Sequence, residues 1–210
     1  MKQKQTALIL IIVFLNIVNK TWKDLAKYHK NLVFVIVINA FYYYLCKRHL
    51  VWEFRPGGFS WRWLRVYHAY VVTPLLILLY LSKLPSTLSK QIVYITNWVI
   101  GSFVVEYGLH KLRMIQFKYG WNVFWSGILY LKMYTYSHLF TNRPVTASML
   151  SLVSIIFLIF KFRVPITKRH FKGSLFFLLP KRVRIPHKYK ILIGAFPKKL
   201  NNKIESMIHN

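Results

Sequence analysis

Six stretches of this chain are apolar enough, and long enough at roughly 20 residues, to cross a hydrocarbon layer of about 30 Å as helices, and that leaves few folds open. They lie at 7–22, 32–52, 64–82, 91–109, 122–140 and 145–162, each bounded by charge, Pro or Gly. Inside lipid a bare backbone has no water to bond to, so runs of this length read as helices. The expected fold is therefore all-α, an integral membrane bundle of six helices, or five if the first run is a cleaved signal. The clearly apolar part of that run, 7–18, is short, and the basic start at 1–5 gives it the look of a secretory signal peptide. No small-x-small cleavage site follows and the run ends in Asn16, Asn19 and Lys20, so a retained helix is expected.

Between the spans lie short links with breakers: Pro56, Gly57 and Gly58, then Pro85, Gly120 and Pro144. Short links make consecutive helices antiparallel neighbours in one domain, residues 1–166, followed by a basic tail, 167–210. Pro74 falls inside the third span, where neighbouring helices can satisfy the freed carbonyl. Ser148, Ser151 and Ser154 mark a small-residue face on the sixth, suited to close helix packing.

Charge fits the same picture. The 210 residues are 55% hydrophobic yet carry 31 Lys and Arg against 4 Asp and Glu, a formal net charge of +27. A disordered basic segment would lack the apolar content, and an ordinary soluble domain would balance its cations. Lys2, Lys4, Lys47, Arg48, Arg55, Arg62, Arg65, Lys111, Arg113, Lys118 and the tail cations fall on one side of the spans. Lys20, Lys23, Lys27, Lys30, Lys83, Lys90 and Arg143 fall on the other. The positive-inside rule then puts both termini in the cytoplasm of a cell-membrane protein. The single cysteine, Cys46, rules out an intrachain disulfide.

An ordered set of fragments carries a resemblance: 22–29 (WKDLAKYH), 50–56 (LVWEFRP), 104–108 (VVEYG), 119–126 (YGWNVFWS), Arg143-Pro144 and 162–166 (FRVPI). Together they resemble an uncharacterised family of small multi-pass membrane proteins from spore-forming Gram-positive bacteria of Bacillus and Clostridium type. The resemblance spans about 1–166 and implies five or six membrane helices with no assigned activity. This chain departs from that family in having Tyr107 where Trp is usual, and in its tail beyond Ile166.

Few groups can carry chemistry. Glu106 in the fourth span and Lys132 in the fifth are expensive in lipid unless they face the bundle interior or a partner. Three readings stand: both snorkel towards the interface, they form a structural ion pair, or they join Asn97 and His110 in an intramembrane polar site. His110 lies four residues after Glu106, the spacing of helix-surface neighbours. Trp52, Glu53, Arg55 and Pro56 form an interfacial motif, read either as an aromatic anchor with a local Glu53–Arg55 pair or as a carboxylate facing a ligand. Asp24 balances the lysines near it.

The eight histidines match no metal-binding template. A set drawn from several helices, such as His68, Glu106 and His138, is conceivable without anything to select it. No catalytic, cofactor or metal role is assigned to any residue, and no cofactor is expected. The tail, 161–210, interleaves cations with short apolar pieces and reads as lying on anionic phospholipid headgroups rather than on nucleic acid. The leading functional reading is a non-catalytic envelope or complex component, partnered by lipid and by another membrane protein. The alternative is a small transporter or channel using Glu106 and Lys132, and a membrane-embedded enzyme comes third.

Overall fold

A computed structural model of the chain describes residues 2–46, 49–56, 58 and 60–164. The chain divides into two units, 1–178 and 179–210, and every described residue lies in the first. The basic tail beyond 164, with its expected lipid contact, and Lys47, Arg48 and Gly57 lie outside the described residues.

The fold is mostly helical. α1 (Lys2–Val18) ends at Asn19 and Lys20, where Lys20 takes a left-handed φ of 54°, and a single tight turn, Thr21–Asp24, leads into α2 (Leu25–Leu45). The two rods are bent by 77° at this break, so they do not fold back as the antiparallel pair expected from a short link. Side chains hold the corner: Asn16 Nδ2 donates to the carbonyl of Leu75 at 3.2 Å, and Thr21 Oγ1 donates to Asn16 Oδ1 at 2.6 Å.

The third span is interrupted. α3 (Trp61–Tyr67) passes through a widened π turn, His68–Val72, into α4 (Thr73–Ser82). The cause is Pro74, whose ring would clash with the carbonyl four residues back and which has no N–H to give it; a wider turn relieves both. Thr73 Oγ1 donates instead to the His68 carbonyl at 2.9 Å.

α5 (Leu88–Lys111), α6 (Val123–Asn142) and α7 (Pro144–Lys161) follow the expected fourth to sixth spans closely. Asn122 caps α6 by accepting from the Trp125 N–H at 3.2 Å, and Pro144 opens α7 at a position where its missing donor is harmless. Both α5 and α7 end in the same two-bond cap. Met114 N–H bonds to Leu109 O and Arg113 N–H to His110 O; Val164 N–H bonds to Ile159 O and Arg163 N–H to Phe160 O. Arg113 and Arg163 hold the left-handed position at φ 57° and 48°.

Two features correct the sequence expectation. The second helix stops at Leu45, so Trp52 is not its end. Trp52–Phe54 is a strand, β1, paired antiparallel with Ile115–Phe117, β2, in the register Trp52–Phe117, Glu53–Gln116 and Phe54–Ile115. The fold is thus mostly helical, with a two-stranded sheet joining two of its links. The alternation of ring, charge and ring at 52–54 has the period of a strand, and strands favour aromatic residues.

Among the described residues, three helical stretches are long and apolar enough to cross a membrane: Trp61–Ser82, Leu88–Lys111 and Pro144–Lys161. The bent α1–α2 pair makes a fourth if it counts as one broken span. α6 carries Lys132, Ser137 and His138 and does not reach that apolarity.

The sheet fixes which links share an end of the bundle. The α2–α3 and α5–α6 links pair with each other there. Gln5 of α1 donates to the carbonyl of Arg55 at 3.0 Å, and Phe162 and Val164 pack with Leu45, Leu50 and Trp121 at the same end. A second core cluster joins α2, α4, α6 and α7 through Tyr28, Leu32, Phe34, Ile77, Leu78, Tyr80, Tyr134 and Ala147. On α7, Ser151 is buried and Ser154 meets the Tyr136 hydroxyl at 3.2 Å, so the serine face turns towards α6. Outward faces carry apolar side chains such as Phe14 and Ile17 on α1, Ile92 and Val104 on α5, and Val153 and Phe160 on α7.

Candidate functional site

α5 is an outer helix of the bundle, and its one fully buried residue is Glu106. A helix that hides a carboxylate and exposes its aliphatics is inverted relative to a helix in water. Glu106 is 2% exposed and Oε2 accepts a hydrogen bond from the Tyr130 hydroxyl of α6. The Ser126 hydroxyl and the Trp52 indole N–H also stand towards the carboxylate as hydrogen-bond donors, and His110 acts on it through its charge. Its Oε1 is buried, and no donor meets it with good hydrogen-bond geometry.

Glu106 lines a cavity of about 650 Å³, within the range of small-molecule sites. The π turn contributes His68, which is 3% exposed, stacks on the Phe54 ring at 3.5 Å between centroids, and has no partner for Nε2. β1 contributes Trp52 and Phe54. They sit two residues apart and so share a face of the strand. α5 contributes Tyr94, Trp98 and Ser102 as well as Glu106. The Ser102 hydroxyl meets Tyr134 at 2.6 Å, and Tyr94 donates to the Tyr80 carbonyl at 2.9 Å. The exposed members of the lining are Ile11 and Leu15 of α1, Asn97, Gly101 and Val105 of α5, and Leu129 of α6, so the cavity opens sideways, with α1 and α5 flanking its mouth. A side chain added at Gly101 would meet nothing within 4 Å, consistent with that opening.

The residues singled out from sequence are distributed as follows. Glu106 lines the cavity and Asn97 sits at its exposed rim. Lys132 does not join them: it lies with Nζ 5.6 Å from the Phe157 ring centroid on α7, and no ion pair links it to Glu106. Helical phase decides this, because Tyr130 and Lys132 are two residues apart and point to different sides of α6. His110 turns the other way. It stacks on Phe117 at 4.4 Å and, with Arg55, Lys111 and Arg113, lines a separate basic recess of about 710 Å³. His138 is not part of the cavity, and among the described residues no three His, Cys, Asp or Glu gather closely enough to hold a metal.

The interfacial motif splits by strand alternation. Trp52 faces the cavity, while Glu53 points away and binds Arg65 at 2.9 Å, Lys118 at 2.8 Å and Gln116 Nε2 at 2.7 Å. The expected local Glu53–Arg55 pair does not form. Arg55 instead uses its backbone: its N–H donates to Met114 O at 2.7 Å, and Pro56 ends the strand exposed. Burial raises the pKa of Glu53, but the Lys118 and Arg65 bonds and charges outweigh it and hold the carboxyl below its usual value. Arg65 is itself sandwiched, 4.3 Å from the Trp61 ring. The glutamate therefore bolts β1, β2 and α3 together, with both carboxylate oxygens engaged.

Trp98 and Ser102 escape sequence reasoning, and His68 enters it only within a set that nothing selects. Pro74, six residues after His68, is the signal that the helix must open there. Comparison with family models, with characterised proteins and with solved structures finds no match.

Proposed function

We propose that this chain is a multi-pass integral protein of the cell membrane, with both termini cytoplasmic, that houses a small solute inside its helix bundle as a carrier or channel-like protein. One observation carries this: the buried Glu106 carboxyl, with the Trp52 indole N–H towards it, and the buried His68, whose Nε2 has no protein partner, line one cavity. Buried polar atoms are almost always bonded, and a polar residue at membrane depth faces a partner or a pathway. The reading of a non-catalytic envelope component accounts for the helices equally well and leaves that convergence without a use.

The apolar outward faces support insertion in lipid. The sheet and the Gln5 bonds gather the start of α1 and the α2–α3 and α5–α6 links at one end, the set of links richer in Lys and Arg. That grouping supports a cytoplasmic sheet end, with the tail resting on anionic headgroups of the same leaflet.

The test is cavity access. Cys46 is the sole cysteine, so Cys46→Ser gives a clean background for Ser102→Cys in the cavity and Leu78→Cys in the dry core. In reconstituted vesicles a small membrane-permeant methanethiosulfonate should modify the thiol at 102 and spare the one at 78. Two equally inert thiols would refute the reading.

A further inference from the structure

The cavity's chemistry is one-sided. In a chain of net charge +27, the described residues lining it include no Lys or Arg and a single acid, Glu106. Six rings line the same cavity: Tyr43, Trp52, Phe54, Tyr94, Trp98 and Tyr130. Ring faces attract cations, by about 2 kcal/mol or more where water is excluded, and a carboxylate adds a full opposite charge. The flanks of the mouth, Ile11 and Leu15 on α1 with Val105 on α5, are apolar and exposed, so the way in runs past the surface that the proposed membrane would cover.

These features exclude the other simple occupants. An anion would face Glu106 with no basic lining residue to hold it. A bare inorganic cation needs several oxygen ligands converging on it; beside Glu106, the hydroxyls of Thr73 and Ser102 are engaged with the His68 carbonyl and Tyr134, and Asn97 lies at the exposed rim. A neutral hydrocarbon would leave His68 Nε2 buried without a partner and the Glu106 carboxylate without a counter-charge.

Resting on the solute-housing role proposed above, we infer that the cavity binds a lipophilic organic monocation, its charge against Glu106 and its apolar body among the rings. Asn97, exposed at the rim, gives such a molecule a polar contact as it passes the mouth.

Tetraphenylphosphonium is the probe, and tetraphenylborate, with the same shape and opposite charge, is its control. With the full-length protein in nanodiscs, equilibrium dialysis should show saturable phosphonium binding at one per chain. Glu106→Gln should weaken it about tenfold or more, and borate should not displace it. Equal binding by the Gln variant, or displacement by borate, overturns the inference. Should the Gln variant not fold, the wild type still decides. Phosphonium should slow modification of Glu106 by dicyclohexylcarbodiimide, read by peptide mass spectrometry, while leaving Glu53 unaffected, and absence of protection overturns the inference. A reactive thiol at 102 with no phosphonium binding would sink the cation preference alone. An inert thiol would sink both readings.

Discussion

The Tyr130 hydroxyl of α6 donates to the Glu106 carboxylate of α5, and this bond ties the outer helix to the bundle at the depth of the cavity. Tyr130→Phe removes the donor and leaves a buried carboxyl short of a partner. Thermal unfolding in detergent should show a loss of about 1–3 kcal/mol. Tyr136→Phe removes only a hydroxyl–hydroxyl contact with Ser154 at 3.2 Å and should lose about 0.5–1.5 kcal/mol or less.

Lys132 stands over Phe157 and away from Glu106, so the two charges are independent. Lys132→Met should change stability by no more than about 1 kcal/mol. Combining Glu106→Lys with Lys132→Glu should not rescue folding lost in the Glu106 single variant. Rescue would show that the two residues meet.

Glu53 gives the sheet end a pH dependence. Its carboxyl is held below the usual value in the folded protein, despite partial burial, by Lys118 and Arg65. The stabilisation is therefore complete above the unfolded carboxylate pKa of about 4.3 and fades as pH falls through the lower folded value. Glu53→Gln should destabilise by about 1.5–3 kcal/mol near neutral pH, and by progressively less as acid removes the same charge from the wild type. A difference between wild type and variant that does not shrink on acidification would contradict this.

Arg113 holds a left-handed φ of 57° that ends α5 and aims the chain into β2. Arginine is strained there by roughly 1 kcal/mol and glycine is not. Arg113→Gly should raise the unfolding temperature, with far-ultraviolet circular dichroism unchanged.

How far the sequence foretells the molecule can be followed residue by residue. Proline, glycine and apolar run length place α5, α6 and α7 within a few residues, because those signals are local. Pairing of Glu53 with Gln116 is not local: it joins positions 63 apart through strands of three residues each, too short for alternation to stand out. The same limit hides the turn between α1 and α2, which is fixed by Asn16 reaching Leu75. For the site, the expense of a carboxylate in an apolar helix singles out Glu106 without a structure. Its neighbours are set by the relative rotation of α5 and α6, which no periodicity within one helix encodes, and so Tyr130 rather than Lys132 is the partner.

The central claim is that Glu106 is buried from bulk water yet faces a cavity open towards the lipid. Its reactivity with the lipid-soluble dicyclohexylcarbodiimide in intact vesicles tests this most directly, with Gly101→Trp placed to fill the mouth. Glu106 should be modified in the wild type, Glu53 spared, and Glu106 protected when the mouth is filled. Modification of Glu53 with Glu106 untouched, or labelling of Glu106 indifferent to the tryptophan, would contradict it.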